Sequence, residues 1–479
     1  MKLSELIRGA ALEDRVEGDP EITCLTCDTR ALRPGGLFAA LAGAREDGRR
    51  YIPEALARGA AAVLSDRFPD EPGPWLVSRA PRRDYALLCR AWFGDPGKDM
   101  ILTGITGTNG KTTSACLLQA VLEEVLSARV GLIGTNRNLA GDRILPARRT
   151  TPDAYELQSL LAEMRAAGCA YAVMEVSSHA LAQDRTAGLR FSAGLFTNLT
   201  RDHLDYHGSM AAYARAKEAL FRQCAGGAFN ADDAMGRRLA ETFPGLTYAL
   251  DRPAALRGRA LRLEPGQTGF LLESGGERLP VRVPIPGRFT AYNALGVLAC
   301  CALLGLPPER AAAALGKVPP VKGRAEVVPV PAPFTVVIDY AHTPDALEKI
   351  LTALRAGCPG RLLCLFGCGG DRDRGKRPVM GEVAAELADL VVLTSDNPRT
   401  EDPEEILDQI AAGFPAGSSD WIRLTDRREA IRTVLSLGRP GDTILLAGKG
   451  HETCQEIGGR RIPLDEREEI ASFFAANAL

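Results

Sequence analysis

Long apolar runs are missing from this 479-residue sequence: the most apolar stretch, Ala294 to Leu306, is too short to span a bilayer and is closed by Pro307-Pro308. No membrane insertion is expected. An excess of either charge is missing too, since 58 Lys plus Arg stand against 60 Asp plus Glu, for a net charge of −2. No global field would draw such a chain onto nucleic acid or anionic lipid. The first residues, Met1-Lys2-Leu3-Ser4-Glu5, run into Glu13, Asp14 and Glu17 without an apolar core or a small-residue cleavage site. That lacks the form of a secretory leader, and a cytoplasmic location is expected. The 12 cysteines are scattered, with only a lone Cys24-x-x-Cys27 and no second pair at zinc-site spacing. Reduced thiols, the small core residues of an intracellular protein, are the reading. Short tandem repeats, low-complexity tracts and heptads are also absent.

What is present is ordinary globular composition, 46% hydrophobic and 25% charged, in a chain long enough for about three domains. Residues 1–98 read as a small α/β unit, with a helical stretch from Ile52 to Arg58 leading into an apolar strand from Ala60 to Leu64. Asp95-Pro96-Gly97-Lys98 has the composition of a linker. From 99 to 322, strand candidates (Tyr171 to Val176, Leu195 to Thr197) alternate with helical stretches (Thr112 to Leu126, Tyr155 to Ala167, Met210 to Gln223). Such alternation predicts a parallel sheet with crossover helices. Residues 258–286 read as a β excursion, and Pro319, Pro320 and Gly323 as a hinge. Residues 323–479 alternate again, with strands at Phe334 to Asp339, Arg361 to Gly367, Leu390 to Thr394 and Thr443 to Ala447.

The chemistry gathers in a few segments. Gly107-Thr108-Asn109-Gly110-Lys111-Thr112-Thr113 follows a strand and opens a helix, where backbone N–H groups and the helix dipole can hold phosphate. Ile105 stands where a Walker A motif has its first glycine, so this is a P-loop variant, with Lys111 placed for the outer phosphates and Thr112 for Mg²⁺. Each of the five histidines falls among polar or charged residues and small ones. Glu175 and His203, each at or after a strand, are candidates for jointly holding a second metal at the carboxyl edge of a sheet. Asp202 to His207 also admits a hydrolytic metal site, which would leave the P-loop without a purpose. Lys217 reads, on pattern alone, as a surface lysine of an amphipathic helix. In the last domain, Gly367 to Arg377, Asp396-Asn397-Pro398-Arg399 and Gly448-Lys449-Gly450-His451-Glu452 each follow a strand. One pocket for an anionic ligand is expected there, with Arg399 suited to a carboxylate.

Taken together, Gly107 to Thr113, Met174 to Leu181, Phe196 to Gly208, Asp339-Tyr340-Ala341-His342-Thr343-Pro344-Asp345 and Gly367 to Arg377 resemble the Mur ligases, ATP-dependent amino-acid ligases of peptidoglycan synthesis. The resemblance runs along nearly the whole chain. It implies a small N-terminal UDP-binding domain (1–98), a central P-loop ATPase domain with a mostly parallel sheet (99–322) and a C-terminal Rossmann-like domain for the amino acid (323–479). It further implies a carbamylated Lys217 that, with Thr112, Glu175 and His203, positions Mg²⁺. Uridine would lie near Cys27, Thr29 and Ala44-Arg45-Glu46, and the muramoyl dipeptide near Thr150, Thr151, Ser177, Gln183 and Arg185. Asn293, Arg324, Asp339 and His342 would contact ATP. Arg372, Asp396, Asn397, Pro398, Arg399, Gly448 and Glu452 would take the incoming amino acid. Arg149 stands where relatives often carry Asn.

Within the family, Asp396 to Arg399 is the pattern of members that add meso-diaminopimelate to a UDP-N-acetylmuramoyl-dipeptide; lysine would leave Arg399 unpaired. A monomer is expected. Addition of L-lysine, a folylpolyglutamate-synthetase-like ligase and a non-catalytic nucleotide switch are the other readings.

Overall fold

A computed structural model describes residues 1–43, 46–68, 73–264 and 266–476. The chain folds into two compact units, the first of Met1–Thr106, Leu126–Gly194 and Arg215–Gly226, the second of Gly107–Val125, Leu195–Ala214 and Gly227–Leu479.

The first unit opens with a five-stranded sheet in the order Leu12–Arg15, Trp75–Ser78, Ala62–Ser65, Leu37–Ala39, Leu25–Thr26. Only the first pairing is antiparallel. Its core is Leu37, Ala39, Leu64 and Leu76 packed on Tyr85 and Leu88 of the helix Pro81–Trp92. The expected linker is a short 3₁₀ helix, Pro96–Asp99, entered through Asp95 at φ 50°. Proline supplies its fixed φ at the first helical position, which is why this composition turns instead of trailing. Beyond it, Ile101–Thr106, Tyr171–Glu175 and Val130–Ile133 pair in parallel, and the short strands Asn138–Ala140 and Arg143–Leu145 continue antiparallel. The helix expected from Met210 to Gln223 stops at Glu218. There the Leu220 amide bonds to the Lys217 carbonyl at 3.2 Å, tightening the chain into the 3₁₀ turn Phe221–Gln223.

In the second unit the helix Lys111–Leu126 follows the glycine turn. Gly227–Asn230, Gly245–Ala249 and Leu256–Glu264 pair in parallel, and Gln267–Ser274 and Glu277–Val283 extend them as an antiparallel meander, the expected β excursion. The apolar run at Ala294 lies in the buried helix Arg288–Leu303. Among the described residues no helix is long and apolar enough to cross a membrane. The C-terminal sheet runs Glu326–Val328, Thr335–Asp339, Thr443–Ala447, Leu362–Phe366, Leu390–Leu393, Trp421–Arg423, parallel except at its first pairing. Near-continuous Val, Leu and Ile runs identify strands covered on both faces. Because Asp339 is in register with Ala447, and Phe366 with Leu393, the loops leaving these strands open at one edge.

Candidate active site

In the first unit, the residues expected at the dipeptide form one hydrogen-bonded group. Glu175, at the end of its strand, is buried, and its two carboxylate oxygens accept from the Thr135 amide at 2.7 Å and the Thr135 hydroxyl at 3.1 Å. The Thr135 hydroxyl also lies 3.1 Å from the Thr150 hydroxyl, which can donate to it. Thr151 donates to the Glu175 carbonyl at 2.9 Å and accepts from the Ser177 amide at 2.9 Å. Arg185 reaches the Thr151 carbonyl at 2.7 Å and the Gln183 side-chain oxygen at 2.7 Å. Arg149 is engaged with Asp153 at 3.2 Å. Thr135 was not among the expected residues, for nothing in its local sequence marks a partner forty residues away.

Lys217 is only 1% exposed, which overturns the surface reading given by its helical pattern. Near the N-terminus, Cys27 is exposed, and Thr29 begins a 3₁₀ turn capped by Asp28. Glu46 accepts from the Tyr51 hydroxyl at 2.7 Å. Ala44 and Arg45 lie outside the described residues. Among the described residues, none of the twelve cysteines is in a disulfide.

In the second unit the glycine turn is held in shape by the segment after Phe196. The Thr108 amide donates to the Asn198 carbonyl at 2.8 Å and the Asn109 amide to the Asn198 side chain at 3.0 Å. The Thr197 hydroxyl donates to the Asn109 carbonyl at 2.6 Å, and Thr108 Oγ1 accepts from the Thr200 amide at 3.0 Å. Gly110 has φ 86°, and a Cβ there would run into the Asn293 side-chain oxygen, so only glycine permits this turn. Lys111 Nζ donates to the Gly107 and Thr108 carbonyls at 3.0 and 2.8 Å. A cavity of about 570 Å³ opens beside the turn, lined by Asn109, Gly110, Thr113, Asn293, Arg324, Asp339 and His342. Its size suits a nucleotide. The four residues expected at ATP thus meet with three of the P-loop's own, and Asn109 further bonds Asp345 at 2.7 Å.

The electrostatics of this cavity are set by burial against nearby cations. Burial raises the Asp339 carboxyl, with Arg324 acting against it. His342 is lowered by burial and by Lys376, whose Nζ donates to the His342 carbonyl at 2.7 Å. Burial opposes the charged form of Asp202, but His203, His342 and Lys376 outweigh it and hold the carboxyl low. His203 itself takes φ 54° at the start of the turn Leu204–His207, with Nε2 3.4 Å from Asp202.

At the open edge of the C-terminal sheet, Asp396 and Asn397 are buried and the Gly448 amide donates to the Asp339 carbonyl at 3.1 Å. Lys449, fully buried, donates to the Asn397 side-chain oxygen at 3.1 Å and to Glu452 at 2.7 Å. Asn397 Nδ2 donates to the same Glu452 oxygen at 2.9 Å. Burial would raise Glu452, yet Lys449 beside it holds the carboxyl down. The basic run from Gly367 to Arg377 differs from its reading as an anion site. Arg377 is fully buried and paired with Glu401 at 3.0 Å, Arg374 meets Glu401 at 3.0 Å, and Arg372, which is exposed, has its Nη1 on the Asp371 carbonyl at 3.0 Å. Arg374 and Arg377 are thus engaged by the chain's own Glu401, which lies 24 residues beyond Arg377.

Comparison with known proteins agrees with this geometry. The Mur ligase middle-domain model matches residues 105–301, the "Mur ligase, glutamate ligase domain" model 323–450 and the "Mur ligase family, catalytic domain" model 21–86. A relative from Gloeobacter violaceus, UDP-N-acetylmuramoyl-L-alanyl-D-glutamate–2,6-diaminopimelate ligase, is 44% identical over 98% of this chain and 97% of its own. The chain belongs to the Mur ligase family. A second Mur ligase of the same name, from Caldanaerobacter subterraneus subsp. tengcongensis, is 41% identical over 99% of both chains. A solved structure of a UDP-N-acetylmuramoyl-L-alanyl-D-glutamate–2,6-diaminopimelate ligase superposes with a TM-score of 0.69 at 34% identity, covering 96% of both chains. The three-domain Mur ligase architecture therefore holds for this chain, which is an ADP-forming amide ligase by family.

Proposed function

We propose that this Mur ligase joins meso-diaminopimelate to the D-glutamyl carboxylate of UDP-N-acetylmuramoyl-L-alanyl-D-glutamate, in the cytoplasm and as a monomer, with ATP cleaved to ADP and phosphate. The observation that carries it is full-length similarity to relatives of that name, at 41% and 44% identity. The loop Asp396-Asn397-Pro398-Arg399, set at one sheet edge with Gly448 and Glu452, supports it. In this reading residues 1–98 bind uridine, 99–322 bind ATP and 323–479 bind the amino acid.

The D-glutamyl carboxylate attacks the γ-phosphorus of ATP, giving an acyl phosphate and ADP. The diaminopimelate amine then attacks the acyl carbon, loses its proton and expels phosphate, leaving an amide bond. Lys111 and the amides of the glycine turn hold the transferring phosphoryl, and Asn293, Arg324, Asp339 and His342 seat the nucleotide. Thr150, Thr151, Ser177, Gln183 and Arg185 orient the dipeptide. Cys27, Thr29 and the Ala44-Arg45-Glu46 segment meet the uridine. Arg372, Asp396, Asn397, Pro398, Arg399, Gly448 and Glu452 hold the amino acid.

By their chemistry the Thr112 hydroxyl, the Glu175 carboxylate, the His203 ring and a carbamate on Lys217 would be the groups to hold Mg²⁺, which takes mostly oxygen donors. When bound, Mg²⁺ supplies positive charge that offsets the repulsion between carboxylate and phosphate. The deciding experiment measures phosphate release from ATP with the dipeptide nucleotide present, comparing meso-diaminopimelate, L-lysine and no amino acid. Release driven only by meso-diaminopimelate, with a product of matching mass, is expected. Equal use of lysine would refute the amino-acid assignment, and indifference to both would refute the ligase reading.

A further inference from the structure

The Arg399 guanidinium, which the proposed function assigns to the incoming amino acid, carries a carboxylate of the chain's own. Its Nε lies 3.2 Å from Glu456 Oε2, while Nη1 donates to the Gly370 carbonyl at 2.7 Å. The arrangement is built by the backbone. The Arg399 amide donates to the Glu456 carbonyl at 2.9 Å, and the Gly458 amide donates to the Arg399 carbonyl at 2.7 Å. Arg399 takes φ 53°, a region unfavourable to any residue with a Cβ and sustained here by those two bonds. The Glu456 amide donates to the Asn397 side-chain oxygen at 2.9 Å, tying the hairpin strand Cys454–Ile457 to the same loop. A Cβ on Gly369 would stand 2.9 Å from Arg399 Nη1, so that glycine leaves room for the guanidinium.

Two properties make this pair exchangeable. Its side chains are 25% and 37% exposed, unlike the sealed Arg427–Glu466 pair at 0% each, so water can take over from either partner. Glu456 also has a second cation within reach, Arg461 Nε at 3.6 Å from its other oxygen on the facing strand Arg460–Pro463.

We propose that Glu456 is a displaceable internal competitor for the acid end of the incoming amino acid, and thereby a specificity-determining residue. The inference rests on the diaminopimelate reading. A distal carboxylate takes Arg399 by moving Glu456 towards Arg461, so Glu456 weakens binding of the diacid. It also removes a penalty. An amino acid ending in an ammonium group, such as lysine, meets an Arg399 whose charge is already answered, and does not bury an unpaired guanidinium. Glu456 therefore narrows the preference that Arg399 alone would impose.

The test is steady-state phosphate release by Glu456→Gln, Arg399→Ala and the double variant, with ATP and the dipeptide nucleotide saturating. Glu456→Gln should lower the KM for meso-diaminopimelate by about two- to fivefold, as expected for loss of an exposed ion pair, and lower kcat/KM for L-lysine. The KM values for ATP and the nucleotide should stay unchanged, which a collapse of the loop would not allow. In the Arg399→Ala background the Glu456→Gln change should have no further effect. An unchanged or higher KM for meso-diaminopimelate in Glu456→Gln overturns the inference while the functional reading stands. Wild-type protein that ignores meso-diaminopimelate overturns both.

Discussion

Arg324 donates from Nη2 to the Thr112 hydroxyl at 3.0 Å, and the same guanidinium lies 4.7 Å from the centre of the Tyr340 ring. A side chain from the segment that opens the C-terminal sheet thus rests on the first turn of the helix Lys111–Leu126. Replacing Arg324 by Ala should raise the KM for ATP roughly tenfold or more, the range for a hydrogen bond to a charged group, and leave the KM for the amino acid alone. Initial rates at varied ATP check this, and an unaltered ATP dependence would remove Arg324 from the nucleotide site.

Lys217 is buried on a helix that ends one residue later. Lys217→Ala should lose most activity, and some should return when a short carboxylate such as formate is added, since that anion would stand in for the proposed carbamate. The readout is phosphate release with and without the carboxylate. Turnover by Lys217→Ala at the wild-type rate would exclude the carbamate.

The His451 ring, within 5.1 Å of the Tyr340 ring, is lowered to about 4 by burial, with Arg324 adding to the effect. An unfolded histidine titrates near 6.5, so between those values the unfolded chain binds more protons than the folded one. Stability should be full above about pH 6.5 and fall as the pH drops towards 4, by at most about 3 kcal/mol from this residue. Urea midpoints across that range should show a shallower fall for His451→Gln. Parallel pH profiles would exclude the histidine as the source.

Arg427 and Glu466 are both fully buried, with Nη2 2.7 Å from Oε1, and Arg427 also donates to the Ala447 carbonyl at 2.8 Å and the Ser395 carbonyl at 3.3 Å. The pair braces the strand ends that carry Asp396 and Gly448. Glu466→Ala should cost about 3–5 kcal/mol by stranding a buried charge, and the double change Arg427→Met, Glu466→Leu should cost less than that single one. Chemical denaturation of both variants decides it.

The P-loop helix, the strand ends that carry Glu175, Asp339 and Gly448, and the antiparallel excursion were legible because they rest on local periodicity and turn chemistry. Lys217 was not legible from its pattern. Its helix is short and mixed, and burial of a lysine depends on what packs over it. The charges from Arg372 to Arg377 read as a ligand cradle because Glu401 is remote in sequence. Glu456 went unnoticed for the same reason: a lone acid in a hairpin strand gives no sign of the arginine 57 positions earlier that its backbone and side chain both hold. Thr135 was likewise visible only once its partner was placed.

The chain passes between its two units at Thr106/Gly107, Val125/Leu126, Gly194/Leu195, Ala214/Arg215 and Gly226/Gly227, five passages in all. Neither unit is therefore a single stretch of gene. A chimera that swaps one unit with a relative needs five matched junctions, the first of them at the opening glycine of the phosphate loop and another three residues before Lys217. A single breakpoint within residues 107–226 splits both units, whereas one at Gly226/Gly227 leaves the first unit whole and parts Gly107–Val125 and Leu195–Ala214 from the rest of the second.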